Sequence, residues 1–290
     1  MILFGGMKKG LVLEGGGMRG LFTAGILDEM MENGIQPDGL IGVSAGATFG
    51  CNYKSKQPGR VLRYNLRFKD DPRYMGFRSF LKTGDYVNAE FGYHYMPKEL
   101  DVFDTETFAT NPMDFHIVCT DVDTGKPVYR RIDKFEYEEI EWVRASASLP
   151  VITKPVNISG LRLLDGGMTD SIPLQYFQSQ GYDRNIVILT QPKGFKKTQP
   201  KIMPILHVLL RKTPKVANAM AVRHIMYNQQ LDYISEQEKL GNTLLIYPED
   251  ELPIGRVEMD EAKMLRVYAI GREMAKNRMD EIRKFYLMEN

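Results

Sequence analysis

The chain has 290 residues, with 43% hydrophobic and 26% charged side chains and a formal net charge of +1. That composition is ordinary for a globular protein, and the length allows one large domain or two small ones. A balance so near neutral excludes a general attraction to nucleic acid, and no stretch reaches the roughly 20 apolar residues of a spanning helix. The two cysteines, Cys51 and Cys119, sit in apolar runs, which reads as a reduced intracellular protein. In the opening "MILFGGMKKG" the lysines follow the apolar residues, the wrong order for a secretory leader. A cytoplasmic protein, at most peripheral to a membrane, is expected.

Leu11 to Leu13 predict a short buried strand. Gly15, Gly16 and Gly17 then allow a tight turn, and Leu21, Ile26, Leu27, Met30 and Met31 recur at helical spacing. A strand, a glycine turn and a helix start aim backbone N–H groups at an anion. The next unit is similar: the strand "GLIGV", Gly39 to Val43, leads through Ser44-Ala45-Gly46 into a helix towards Tyr53. Two successive strand–helix units argue for a parallel sheet with helices packed on it. Residues 60–100, rich in Arg, Tyr, Phe and Gly, break this rhythm and read as an insertion over one end of the sheet. It offers either a lining for an acyl channel or a small satellite core.

"DFHIVCTDVDTGKPVYRRI" predicts two strands joined by a turn at "DTGKP". "EYEEIEWVRASASLP" predicts an amphipathic helix ending before Pro150. "VNISGLRLLDGG" predicts a hairpin whose second strand delivers Asp165 to the Gly166-Gly167 turn. A helix opening at Pro173 and the buried strand "NIVILT" follow. Beyond residue 195 come the basic loop "PKGFKKTQPK", which reads as solvated, then long helical patterns, the strand "NTLLIY" and a final amphipathic helix. The expected division is 8–195 for a catalytic domain and 196–290 for a mostly helical extension packed on it.

Gly15 to Gly20 satisfies G-x-G-x-x-G, but a dinucleotide site also needs an acidic residue at the end of the second strand. That position is occupied by Gly42-Val43-Ser44-Ala45-Gly46, a G-x-S-x-G. A serine on such a strand-to-helix turn exposes its hydroxyl at the edge of the sheet, where α/β sheets place their sites. A nucleophilic serine needs a base. His94 lies in the aromatic insertion and His116 inside a strand, while His207 and His224, on the C-terminal helices, lack a turn or glycine context, and a Ser–Asp–His triad would need one of those two to reach back. Asp165, at a strand end ahead of two glycines, is the better candidate.

Taken in order, G-G-G-x-R-G, G-x-S-x-G and D-G-G resemble the patatin-like phospholipase family, and "RASASLPVI", Arg144 to Ile152, resembles its stretch ahead of the aspartate. The resemblance covers about residues 10–190. Ser171 stands where many family members have Asn, a difference that bears on loop packing. The resemblance implies an α/β/α sandwich with a mainly parallel sheet, and a Ser44–Asp165 dyad without histidine. It implies an oxyanion hole in Gly15, Gly16, Gly17, Met18, Arg19 and Gly20, with N–H groups from Gly16 and Gly17 and help near Met18. Arg19 would anchor that loop. Gly42 and Gly46 would flank the nucleophile, and Gly166 and Gly167 the aspartate. No metal or cofactor is implied. The implied substrate is a lipid or other acyl ester, cleaved through an acyl-serine. A non-catalytic lipid-binding or regulatory protein on the same fold is the alternative, and a dinucleotide oxidoreductase ranks third.

Overall fold

The computed structural model describes residues 7–287. The opening six residues, which carry most of the stretch read above for a leader, lie outside the described residues. In chain order, β1 (Lys9–Leu13) leads into α1 (Gly20–Glu32), and β2 (Gly39–Val43) into α2 (Ala45–Lys54). The insertion holds α3 (Arg60–Phe68), α4 (Phe77–Thr83) and a π-helical segment, Glu90–Leu100. Then come α5 (Thr105–Thr110), β3 (Asp114–Asp121), β4 (Pro127–Arg131), α6 (Tyr137–Ser146), β5 (Val156–Ile158), β6 (Leu161–Asp165), α7 (Leu174–Ser179) and β7 (Arg184–Ile188). The last part holds α8 (Met203–Leu209), α9 (Pro214–Lys239), β8 (Thr243–Ile246), α10 (Glu261–Asn277) and α11 (Met279–Leu287).

The sheet order is β5-β6-β3-β2-β1-β7-β8, with β4 also paired to β3. The run β3-β2-β1-β7-β8 is parallel, whereas β4 and β6 run antiparallel to β3 and β5 antiparallel to β6. Side chains alternate across a strand, and β1 shows the result. Leu11 and Leu13 join one buried cluster with Leu21 and Phe22 of α1, Ala47 of α2 and Val267 of α10. Val12 joins the other, with Phe177 of α7 and Tyr227 and Ile234 of α9. Helices thus cover both faces, as the mostly apolar strands of a parallel sheet require.

Register places the two predicted catalytic residues at one level. Val43 at the end of β2 faces Val118 of β3. The next residue of β3, Cys119, faces Asp165 at the end of β6.

The C-terminal segment is woven into this sheet. Its strand β8 pairs with β7 from Asn185↔Thr243 to Ile188↔Ile246. Its helix α10 crosses α1 so closely that a Cβ on Gly25 would lie 2.3 Å from the Tyr268 carbonyl oxygen. Among the described residues, no helix is long and apolar enough to cross a membrane.

Candidate active site

Ser44 follows β2 and caps α2, with φ 56° and ψ −122°. A non-glycine residue at positive φ is uncommon, and such strain persists only where the surroundings over-determine it. Several contacts fix it here. The Ser44 N–H donates to Ser146 Oγ at 3.0 Å, and that hydroxyl donates to the Val118 carbonyl at 2.7 Å. Gly42 and Gly46 let the backbones close: a Cβ on Gly46 would lie 2.5 Å from the Leu13 carbonyl oxygen.

Asp165 is 3% exposed. Its Oδ1 accepts from the Gly167 N–H at 2.7 Å, and its own N–H donates to the Ser148 carbonyl at 2.8 Å. Oδ2 makes no hydrogen bond of ordinary geometry. Burial raises the carboxyl above its usual range; the Ser44 hydroxyl opposes this most, followed by the Arg223 charge, the Gly167 N–H and the Arg256 charge. A carboxylate made more basic by burial, with one oxygen uncommitted and a serine hydroxyl against it, is poised to take a proton. Gly166 packs on the Val118 carbonyl. Ser171, the position that departs from the family pattern, donates to the Gly167 carbonyl at 2.6 Å and so braces the same loop.

The glycine loop lies directly against Ser44, since a Cβ on Gly15 would fall 2.7 Å from the Ser44 Cβ. Among the described residues, the N–H groups of Gly15, Gly16 and Gly17 have no protein acceptor. Met18 differs from the expectation. Its N–H donates to the Arg256 carbonyl at 2.9 Å, so it is not free for a substrate oxygen. The Gly20 N–H is likewise taken, by the Gly17 and Met18 carbonyls. The contact with Arg256 also explains Gly17, which has φ +58° and where a Cβ would lie 2.2 Å from the Arg256 oxygen. Arg19 reaches back to the Gly16 carbonyl, Nε to O 3.5 Å.

Glu14, just ahead of the loop, is buried but fully satisfied. It accepts from the Thr190 N–H at 2.7 Å and from the Tyr227 hydroxyl at 2.7 Å. One buried carboxylate thus ties the ends of β1 and β7 to α9.

Two cavities meet at Ser44. One is apolar and runs under the insertion, lined by Phe49, Tyr64, Tyr74, Tyr93, Met96 and Val143 among others. The other is polar and holds Glu14, Arg19, Asp165, Lys197, Arg223 and Arg256. No histidine lines either cavity. His94 is held by Glu141 at 2.8 Å, and His207 Nδ1 lies 2.9 Å from the Met203 carbonyl one turn back in α8. His116 is buried within β3, which pushes its imidazole down to about 4. Among the described residues, no three His, Cys, Asp or Glu side chains are grouped to hold a metal ion.

A family model described as patatin-like phospholipase matches residues 11–177. The chain belongs to the patatin-like phospholipase family. A second model, a domain of unknown function (DUF6363), matches residues 213–287. Among curated relatives, the uncharacterized protein YjjU of Escherichia coli K12 is 30% identical over 188 residues, covering 63% of this chain and 52% of that protein. Lysophospholipase NTE1 of Chaetomium globosum is 29% identical over 182 residues, covering 61% of this chain and 12% of the relative. The matches thus span about half of the first relative and a small part of the second. Of solved structures, VipD from Legionella pneumophila aligns with a TM-score of 0.45 and 14% identity, over 95% of this chain and 67% of that one. In this patatin-like chain the site also draws on residues outside the matched motifs. Ser146 and Ser148 position the dyad candidates, and Lys197, Arg223 and Arg256 come from the C-terminal segment.

Proposed function

We propose that the chain is a serine acyl hydrolase of lipid esters, with Ser44 as nucleophile and Asp165 as base. The observation that carries this reading is the juxtaposition of a serine at positive φ with a buried carboxylate whose Oδ2 is uncommitted, in cavities without histidine. Family membership supports it, as does the lysophospholipase named among the relatives.

In the proposed reaction, Ser44 Oγ attacks the acyl carbonyl as Asp165 Oδ2 takes its proton. The tetrahedral oxygen is met by N–H groups from Gly15, Gly16 and Gly17, without Met18. Asp165 returns the proton to the leaving alcohol, then accepts one from the water that attacks the acyl-serine. A carboxylate is a weak base for a serine hydroxyl. The scheme therefore depends on donors aimed at the developing charge, each worth about a hundredfold to a thousandfold in rate. The apolar cavity suits the acyl chain and the polar one the leaving group. No step needs a metal or cofactor.

The test is labelling with a fluorophosphonate probe alongside p-nitrophenyl butyrate hydrolysis. Labelling and turnover are both expected, and both should vanish in Ser44→Ala with an unchanged circular dichroism spectrum. A folded wild-type protein that neither labels nor hydrolyses esters would instead be a lipid-binding relative.

A further inference from the structure

The polar cavity holds more positive charge than its carboxylates balance. Arg19, Lys197, Arg223 and Arg256 line it, against Glu14 and Asp165. Glu14 spends its oxygens on neutral donors from Thr190 and Tyr227. None of the four cations is salt-bridged to a carboxylate among the described residues, although neighbours such as Lys196 and Arg162 are. Lys197 is turned inward, its Nζ 4.0 Å from the Tyr227 ring centroid. Burial and the charges of Arg223, Arg256 and Arg19 push its ammonium down to about 7. Keeping Asp165 ionised accounts for Arg223 and Arg256, whose charges act on it. It leaves Lys197, whose Nζ lies over the Tyr227 and Phe195 rings, without an anionic partner among the described residues, while Arg19 also braces the loop through the Gly16 carbonyl and the Gln191 side chain.

The cluster is built, not incidental. Arg223 and Tyr227 lie four residues apart on α9 and so share a face. Arg223 Nε donates to the Gly167 carbonyl. A Cβ on Gly167 would lie 3.1 Å from Asp165 Oδ1 and 3.2 Å from Arg223 Nη2, so carboxylate and guanidinium flank one point. Asn228, next on α9, clamps the Lys197 backbone from both sides: the Lys197 N–H donates to Asn228 Oδ1 and Asn228 Nδ2 donates to the Lys197 carbonyl, each at 2.9 Å. Arg256 is held through its carbonyl by the Met18 N–H, and the exposed residue lines both cavities where they meet. Guanidinium forks with an ammonium match the several oxygens of a phosphate. The cavity meets the apolar one at Ser44, so with the acyl chain in the apolar cavity the anion falls on the alcohol side of the ester.

We propose that Lys197, Arg223 and Arg256, all from the C-terminal segment, join Arg19 in binding the phosphate of the leaving alcohol, a glycerophosphate-type headgroup. This rests on the hydrolase reading for the direction of the substrate, and it gives the region matched to a domain of unknown function a role in specificity.

The experiment uses full-length Ser44→Ala protein, so that binding is read without turnover. Calorimetry compares three probes: a lysophospholipid analogue with an ether in place of the ester, the same alkyl glycerol without phosphate, and inorganic phosphate. The phosphate-bearing ether should bind at least about tenfold more tightly than the phosphate-free one. Adding Lys197→Gln and Arg256→Gln should reduce that preference by about tenfold or more, and Arg256→Lys should restore part of it. If the double substitution does not fold, Arg256→Gln alone, at an exposed side chain, is read by the same ratio. An unchanged preference overturns the proposal. Inorganic phosphate binding as tightly as the ether also overturns it, by making the site one for a free anion. Failure of fluorophosphonate labelling in wild-type protein would sink the hydrolase reading separately, since these titrations do not depend on it.

Discussion

The two cavities that share Ser44 differ in origin as well as chemistry. The apolar one is walled by the insertion, where Phe68, Tyr74 and Phe91 pack edge-on and tilted against one another while Tyr64, Tyr74 and Tyr93 face the opening. Its one buried cation, Arg60, is neutralised by Asp101 at 3.1 Å. The polar cavity is completed by the segment beyond residue 195, and its cations have no such partner. The insertion's buried rings join the same cluster as Leu11, Leu21 and Phe22 instead of forming a satellite core, and Tyr64 and Tyr74 among them also line the apolar cavity. On the proposed reading, two additions to one sheet would divide the substrate: one would supply a solvent for a hydrocarbon tail, the other an electrostatic seat for a head.

The sharpest way to break this division is at the point the cavities share. Asp165→Asn keeps the shape but removes the base, so its kcat should approach the residual level of Ser44→Ala. The double variant should add little, because residues acting as one unit are not additive. His207→Gln and His224→Gln should change kcat by less than about tenfold, since losing a general base costs about a hundredfold or more. A folded histidine variant as dead as Ser44→Ala would move the chemistry out of the dyad.

The buried carboxylate gives a second handle. Asp165 must be ionised to act, and burial raises its pKa, so activity should fall as pH drops through a value above the usual carboxylate range. Stability runs the other way. A carboxyl whose folded pKa is raised contributes fully below its unfolded pKa, and that contribution is lost as pH rises through the folded value. Asp165→Asn should therefore melt above wild type at pH 7, with the gap closing as pH falls into the usual carboxylate range. Differential scanning fluorimetry across pH reads this directly. A variant less stable than wild type at both pH values would contradict the assigned cost of burial.

A smaller effect tests the apolar side. Ile140 lines that cavity and is half-buried. Ile140→Trp should lower kcat/KM for a dodecanoyl ester about tenfold relative to the butanoyl ester, the scale expected when a hydrophobic site loses room for a few methylenes. Equal losses on both esters would mean that the chain does not lie there. The smallest effect is none: exhaustive EDTA dialysis should leave turnover unchanged, and a loss restored by added metal would expose a missed site.

These features were unequally visible in the chain. The Ser44 turn and the Asp165-Gly-Gly end are local patterns, written in consecutive residues. Ser146 is not, because its bond to the Ser44 N–H spans 102 positions, and a serine near the end of a helix looks like many others. The basic run around Lys197 reads as solvated, and for Lys196, paired with exposed Asp232, it is. Only the tertiary clamp from Asn228 turns the next lysine inward. Met18 fell within a good motif, yet its N–H was claimed by the Arg256 carbonyl, 238 residues away in the chain.

The loop at residues 193–201, exposed except at Phe195 and Lys197, joins two parts that are otherwise held side to side. The β7–β8 ladder, the crossing of α1 and α10, and the contacts of Arg223, Tyr227 and Arg256 with the site all bridge it. A protease nick in that loop should leave a working, non-covalent heterodimer. Produced alone, residues 1–195 would expose the bare edge of β7, a template for aggregation, and would lack Lys197, Arg223 and Arg256 of the polar cavity. Co-expressed with residues 196–290, which keep Lys197 and its clamp by Asn228, they are expected to reassemble into the two-part site.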